Sequence, residues 1–125
     1  MVDAIAHSAH SMLIICACVV FFSVLIAVLR FSIERFYLPR EAKILLLGSL
    51  EITKGVTLCS TLENDTLRAI LCSFFIGWSG LCVHFQVVSL CDESDLSFGR
   101  YFLFKALQGI ICALLSLLVF SFVKI

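Results

Sequence analysis

Residues 11–29 read SMLIICACVVFFSVLIAVL, 19 consecutive positions without a formal charge. A helix needs about 20 apolar residues to cross a hydrocarbon layer of roughly 30 Å, so this stretch is a transmembrane span. The rest of the chain is of the same character. Of its 125 residues 62% are hydrophobic and 14% charged, whereas a soluble domain averages about 45–50% and about 25%. Nine Lys/Arg and nine Asp/Glu cannot give a globule of this size a polar exterior unless lipid serves as its outer solvent. The expected fold is therefore all-α, a multi-pass helical protein of the lipid bilayer. Formal charge is zero and the basic residues are scattered, which excludes nucleic acid as a partner.

Outward from this span, residues 1–10 contain Asp3, His7 and His10 but no Lys or Arg. They lack the basic start and small-residue cleavage site of a signal peptide and are expected to form a retained, frayed polar leader. On the other side, the 30–43 loop carries Arg30, Arg35, Arg40 and Lys43 around Pro39, the sole proline. The positive-inside rule places that loop in the cytoplasm. Phe31, Ile33, Phe36, Tyr37 and Leu38 interleave with its charges, as suits a segment at the membrane interface.

Residues 44–62 are apolar except at their centre, Leu50-Glu51-Ile52-Thr53-Lys54-Gly55. Each charged group near the midplane costs about 2.5–3.5 kcal/mol, and nine Leu, Ile and Val offset only about 4 kcal/mol. The segment needs neighbours or water around its charges. It either crosses or re-enters: re-entry joins Arg68 and Lys124 to the cytoplasmic side, and crossing moves Arg100 there instead.

After the polar link Glu63-Asn64-Asp65-Thr66, residues 69–91 hold no formal charge but are interrupted at Gly77-Trp78-Ser79-Gly80. The pieces on either side are roughly 12 and 16 Å long as helix, so neither spans alone. A kinked span or a re-entrant hairpin fits, with His84 and Gln86 just beyond the break. Ser73, Gly77 and Gly80 also suit close helix packing. Asp92-Glu93-Ser94-Asp95-Leu96-Ser97-Phe98-Gly99-Arg100 forms an acidic exit loop before a last span over 101–123. In that span Tyr101 suits the interface, Lys105 can snorkel, and Gln108, Gly109 and Ala113 offer a small, polar face to another helix.

The seven cysteines sit mostly in apolar runs and lack paired C-x₂-C spacing, so they read as small hydrophobes and not as metal ligands. No HExxH, Gly-x-Ser-x-Gly or paired-carboxylate pattern occurs; neither enzymatic activity nor a cofactor is expected.

Three stretches carry a resemblance: Leu50-Glu51-Ile52-Thr53-Lys54-Gly55, then Gly77-Trp78-Ser79-Gly80-Leu81-Cys82-Val83-His84-Phe85-Gln86-Val87, then Tyr101-Phe102 with Leu107-Gln108-Gly109. They resemble the carboxy-terminal part of the YlbJ-like sporulation integral membrane proteins, which carry the nucleoside-recognition or Gate domain. The resemblance implies a relative of nucleoside-type secondary transporters, built of hairpins and broken helices. It also implies transport of dipicolinic acid in the cell membrane or forespore-surrounding membrane of a spore-forming bacterium. Family members are considerably longer than this chain.

Interrupted helices in such transporters hold substrate near the midplane, with amino ends turned to anionic groups. The expected breaks are around Lys54-Gly55 and at Gly77 to Gly80, facing each other across a cavity. Ser79 would cap the second half-helix and Lys54 would attract a carboxylate. Glu51 would pair with Lys54 or serve ion coupling, while Thr53, His84 and Gln86 would supply hydrogen bonds. Together with Gly55, Gly77 and Gly80 these are the candidate site residues, for a small anionic substrate. Two complete spans enclose two interrupted segments poorly, so a homo-oligomer or a complementary chain is expected. The competing expectation is a structural subunit or truncated remnant whose polar groups only bond helix to helix.

Overall fold

A computed structural model describes residues 2–35, 37–91 and 97–123, which contain six helices and no strand. Helix α1 spans Val2–Ile33, α2 Arg40–Leu50, α3 Ile52–Cys59, α4 Asp65–Trp78, α5 Gly80–Leu90 and α6 Phe98–Val123. Among the described residues, three stretches are long and apolar enough to cross a membrane: Val2–Ile33, Asp65–Leu90 and Phe98–Val123.

Residues 2–10 are not a frayed leader but the first turns of α1. Asp3 lies in the first turn, where the helix dipole favours a carboxylate. The Ser8 and Ser11 hydroxyls donate to the carbonyls of Ala4 and His7 at 2.9 and 3.1 Å, so these polar side chains are satisfied along the helix itself. His7 and His10 stay exposed on its surface. At the far end α1 continues through Arg30, which pairs with Glu34 one turn on at 3.2 Å. The expected basic loop is therefore shortened: Arg30 stands on the last turn of α1, and Arg40 and Lys43 on the first turn of α2. Phe36 of the expected interface segment lies outside the described residues.

Helices α2 and α3 form a tight antiparallel hairpin. Arg40, which opens α2, donates from Nη2 to the Thr61 carbonyl just after α3, at 2.8 Å. Ile44 and Cys59 share one buried cluster with Leu62 and Phe75. Nearer the tip, Gly48 and Gly55 stand back to back: a Cβ on Gly48 would lie 2.7 Å from the Gly55 Cα, and one on Gly55 2.8 Å from the Gly48 Cα. The ring of Phe75 seals this crossing. With 11 and 8 residues the two helices reach only about 16 and 12 Å. Neither helix is long enough to cross a hydrocarbon layer of about 30 Å alone, and the hairpin brings the start of α2 and the end of α3 back together.

From the base of the hairpin, α4 rises with its first turn capped by Asn64, whose Oδ1 accepts the Leu67 N–H at 3.0 Å. Asp65 pairs with Arg68 in that turn. Helix α6 runs antiparallel along α4 and makes the largest helix-to-helix contact among the described residues. Gly77 permits this contact, for a Cβ there would sit 2.9 Å from the Gly109 Cα and 3.0 Å from the Gln108 carbonyl oxygen. Beyond the break at Ser79, α5 leaves α4 and leans on α1, with the Phe22 and Phe85 rings 5.6 Å apart. Residues 69–91 are accordingly one kinked span and not a second hairpin.

The hairpin gathers Arg30, Arg40, Lys43 and Arg68 at one end of the helices, while the end of α5 and the start of α6 lie at the other. Of the expected exit loop, Asp92, Glu93, Ser94, Asp95 and Leu96 lie outside the described residues, as does Lys124; Phe98, Gly99 and Arg100 are the first turn of α6.

Candidate functional site

The first break is a single residue. Glu51 adopts extended backbone (φ −147°, ψ 123°), ending α2 and starting α3. Its carboxylate caps the new helix with both oxygens, Oε1 accepting the Thr53 N–H at 2.8 Å and Oε2 the Lys54 N–H at 2.9 Å. An N-cap carboxylate satisfies orphan amides and complements the positive end of the helix dipole. This places the interruption at Glu51 and not around Gly55, which lies inside α3 with its N–H on the Glu51 carbonyl at 3.1 Å. Nor is Glu51 paired with Lys54: among the described residues the ion pairs are Arg30–Glu34 and Arg68–Asp65. Thr53 and Lys54 project from the exposed side of α3, whose Thr57 hydroxyl bonds back to the Thr53 carbonyl at 2.7 Å.

The second break is at Ser79, left-handed at φ 71°, followed by Gly80 at φ 80°. Ser79 does not cap α5 as expected. Its N–H closes the last turn of α4 on the Phe75 carbonyl at 2.8 Å, and its hydroxyl turns back to the Ile76 carbonyl at 3.5 Å. The left-handed backbone directs the side chain to the helix it has just left, and the amino end of α5 has no side-chain cap.

The two breaks touch. A Cβ on Gly80 would stand 3.0 Å from the Ile52 nitrogen, 3.2 Å from the Glu51 Cα and 3.3 Å from the Leu50 carbonyl oxygen. They do not face each other across a cavity, as expected from the sequence. The carboxyl end of α2 instead abuts the amino end of α5, negative dipole end to positive. Trp78 completes the junction: its indole N–H donates at 3.0 Å to the Ser49 carbonyl, one of the groups that the last turn of α2 leaves unpaired.

Behind Trp78 lies His84, fully buried. Its ring meets that of Trp78 edge-on at 4.6 Å and Phe102 at 5.3 Å, and its Nδ1 shares a 3.1 Å hydrogen bond with the Tyr101 hydroxyl. Among the described residues its Nε2 has no hydrogen-bond partner. Gln86 is half-buried and donates to the Cys82 sulfur at 3.3 Å. The predicted residues therefore separate. Glu51 and Gly80 meet at the junction; Thr53 and Lys54 flank it on the open side; His84 ties α5 to α6 from behind, while Gln86 bonds only within α5; Gly55 and Gly77 serve helix contacts. Sequence reasoning missed Ser49, Trp78 as a donor, and Tyr101 as the partner of His84. A lone indole between two glycines was the available signal, because a buried indole N–H requires an acceptor.

An all-α, multi-pass chain in which a re-entrant hairpin tip meets a broken span defines an integral membrane protein of interrupted-helix architecture. Over 95% of its length the chain is YlbJ-like: it is 32% identical, across 134 aligned residues, to the sporulation integral membrane protein YlbJ of Bacillus subtilis (strain 168). It spans about a third of that protein's length, 33%, which accords with a portion of a longer architecture. No family model matches the chain, and no solved structure matches it.

Proposed function

We propose that the chain is part of a secondary transporter that moves a small anionic metabolite, such as dipicolinic acid, across a membrane during sporulation. The observation that carries this reading is the contact of Gly80 with residues 50–52, which brings two helix interruptions to one point. Substrate sites of such transporters lie at helix interruptions near the midplane. YlbJ's own name supports the sporulation setting, and the resemblance to nucleoside-recognition or Gate domains supports the class.

In this mechanism Glu51 occupies the seat an anion would take. Its carboxylate covers the Thr53 and Lys54 amides, so an entering carboxylate competes with it. Lys54, exposed beside the same turn, supplies attraction, and Thr53 a hydroxyl. Separation of the hairpin tip from Gly80 then exposes the uncapped amino end of α5 as a second donor group. His84 and Tyr101 position α5 during that movement. No covalent chemistry is involved, and the working unit contains more chain, either a second copy or a complementary polypeptide.

Close glycine packing at Gly48–Gly55 and Gly77–Gly109 favours a second reading, a structural subunit in which nothing passes. Uptake of dipicolinate by proteoliposomes carrying Glu51→Gln or Lys54→Gln protein, each shown to be folded, separates the two. Lys54→Gln is expected to lose saturable uptake and Glu51→Gln, whose amide competes less for the seat, to lower its KM; parental uptake by both variants would refute the site. Mass measurement in mild detergent should give more than one chain per particle. A monodisperse monomer that binds dipicolinate would contradict the need for further chain.

A further inference from the structure

On the basic face, where α1 ends and the hairpin both begins and finishes, the chain leaves a cleft of about 260 Å³. Arg30, Arg40 and Lys43 stand around it, and Ile33, Ile44 and Leu47 form its apolar wall. Glu34 is the single acidic group lining it and is already engaged by Arg30 at 3.2 Å. Arg40 is fixed by its bond to the Thr61 carbonyl. Among the described residues no carboxylate pairs with Arg40 or with half-buried Lys43. A surplus of two positive charges thus borders an apolar wall.

We infer that this cleft binds the phosphate of an anionic phospholipid from the surrounding bilayer, with an acyl chain against Ile33, Ile44 and Leu47. Basic pockets between helices at the cytoplasmic surface take such headgroups. The apolar wall selects a lipid over a free anion, since inorganic phosphate would gain nothing from it. Bound there, one lipid ties the end of α1 to both ends of the hairpin, independently of whether the junction at Glu51 carries a substrate.

The test is native mass spectrometry of the full chain in mild neutral detergent, titrated with phosphatidylglycerol and, in parallel, with phosphatidylcholine. Preferential retention of phosphatidylglycerol is expected. Lys43→Gln and Arg30→Gln should each weaken it about five-fold, the effect of one cation at an anionic surface. Arg35→Gln should leave it unchanged, because Arg35 does not line the cleft and instead stands 5.4 Å over the Phe31 ring on the same face. Equal retention of the two lipids would overturn the proposal. An equal loss in Arg35→Gln would assign the effect to general surface charge, and displacement of the lipid by millimolar inorganic phosphate would assign the cleft to a free anion.

Discussion

Replacing Gly80 by alanine tests the junction through backbone and space together. At φ 80° an L-residue occupies a sparsely populated conformation at a cost of about 1–3 kcal/mol. The new Cβ would also press on the Ile52 nitrogen, the Glu51 Cα and the Leu50 carbonyl oxygen at 3.0, 3.2 and 3.3 Å. All three are main-chain atoms of the hairpin tip and cannot rotate away as a side chain would. Overpacking of that kind adds about 1–3 kcal/mol, so Gly80→Ala should lose roughly 2–5 kcal/mol, allowing for partial relief of one strain by the other. Gly99→Ala is the control: among the described residues nothing lies within 4 Å of a Cβ added there, and its effect should stay within about 0.5 kcal/mol. Trp78 is the sole tryptophan and sits at the junction, so its fluorescence during denaturant unfolding in mixed micelles reports the contact directly. Equal stability of the two alanine variants would refute the proposed contact between the breaks.

Glu51→Ala removes the acceptor of two amide hydrogen bonds and should lower stability by about 0.5–2 kcal/mol. Glu51→Gln keeps one side-chain oxygen and should fall between it and the parent in the same unfolding assay. Trp78→Phe fills most of the same space but strands the Ser49 carbonyl, for an expected loss of about 1–3 kcal/mol. Infrared spectroscopy with a ¹³C-labelled Ser49 carbonyl should then show that group shift to higher frequency, and an unshifted band would argue against the indole bond.

The long apolar helices were legible because unbroken apolar runs of about 20 residues without charge suit helices long enough to cross lipid. The glycines were harder to assign, since the missing Cβ that lets Gly48 and Gly77 approach a neighbouring helix is the same feature that lets Gly80 take a positive φ. Composition does not separate these uses, and the break expected around Lys54-Gly55 falls at Glu51 instead. Glu51 and Lys54 posed a related ambiguity. Three residues apart, they suit an ion pair on one helix, yet a carboxylate at the same spacing also suits a helix cap, and only the extended backbone at Glu51 distinguishes the two. The surroundings of His84 were out of reach of local spacing: Tyr101 is 17 positions away and is brought to it only by the antiparallel packing of α4 on α6. The polar leader joined α1 because its serines bond to their own helix, so polarity did not there mean disorder.

The central structural claim is that residues 40–59 enter and leave the membrane on the same face, so that their tip meets the break at Ser79 and Gly80. Single cysteines at Leu38 and at Glu63, placed in a background lacking the native thiols, flank this hairpin. A background restoring only Cys91, exposed just past the end of α5, marks the opposite face. With a membrane-impermeant maleimide applied to sealed, oriented vesicles, the Leu38→Cys and Glu63→Cys proteins should react from one side and Cys91 from the other. Labelling of Glu63→Cys from the Cys91 side would mean that the segment crosses, and the junction would be lost with it.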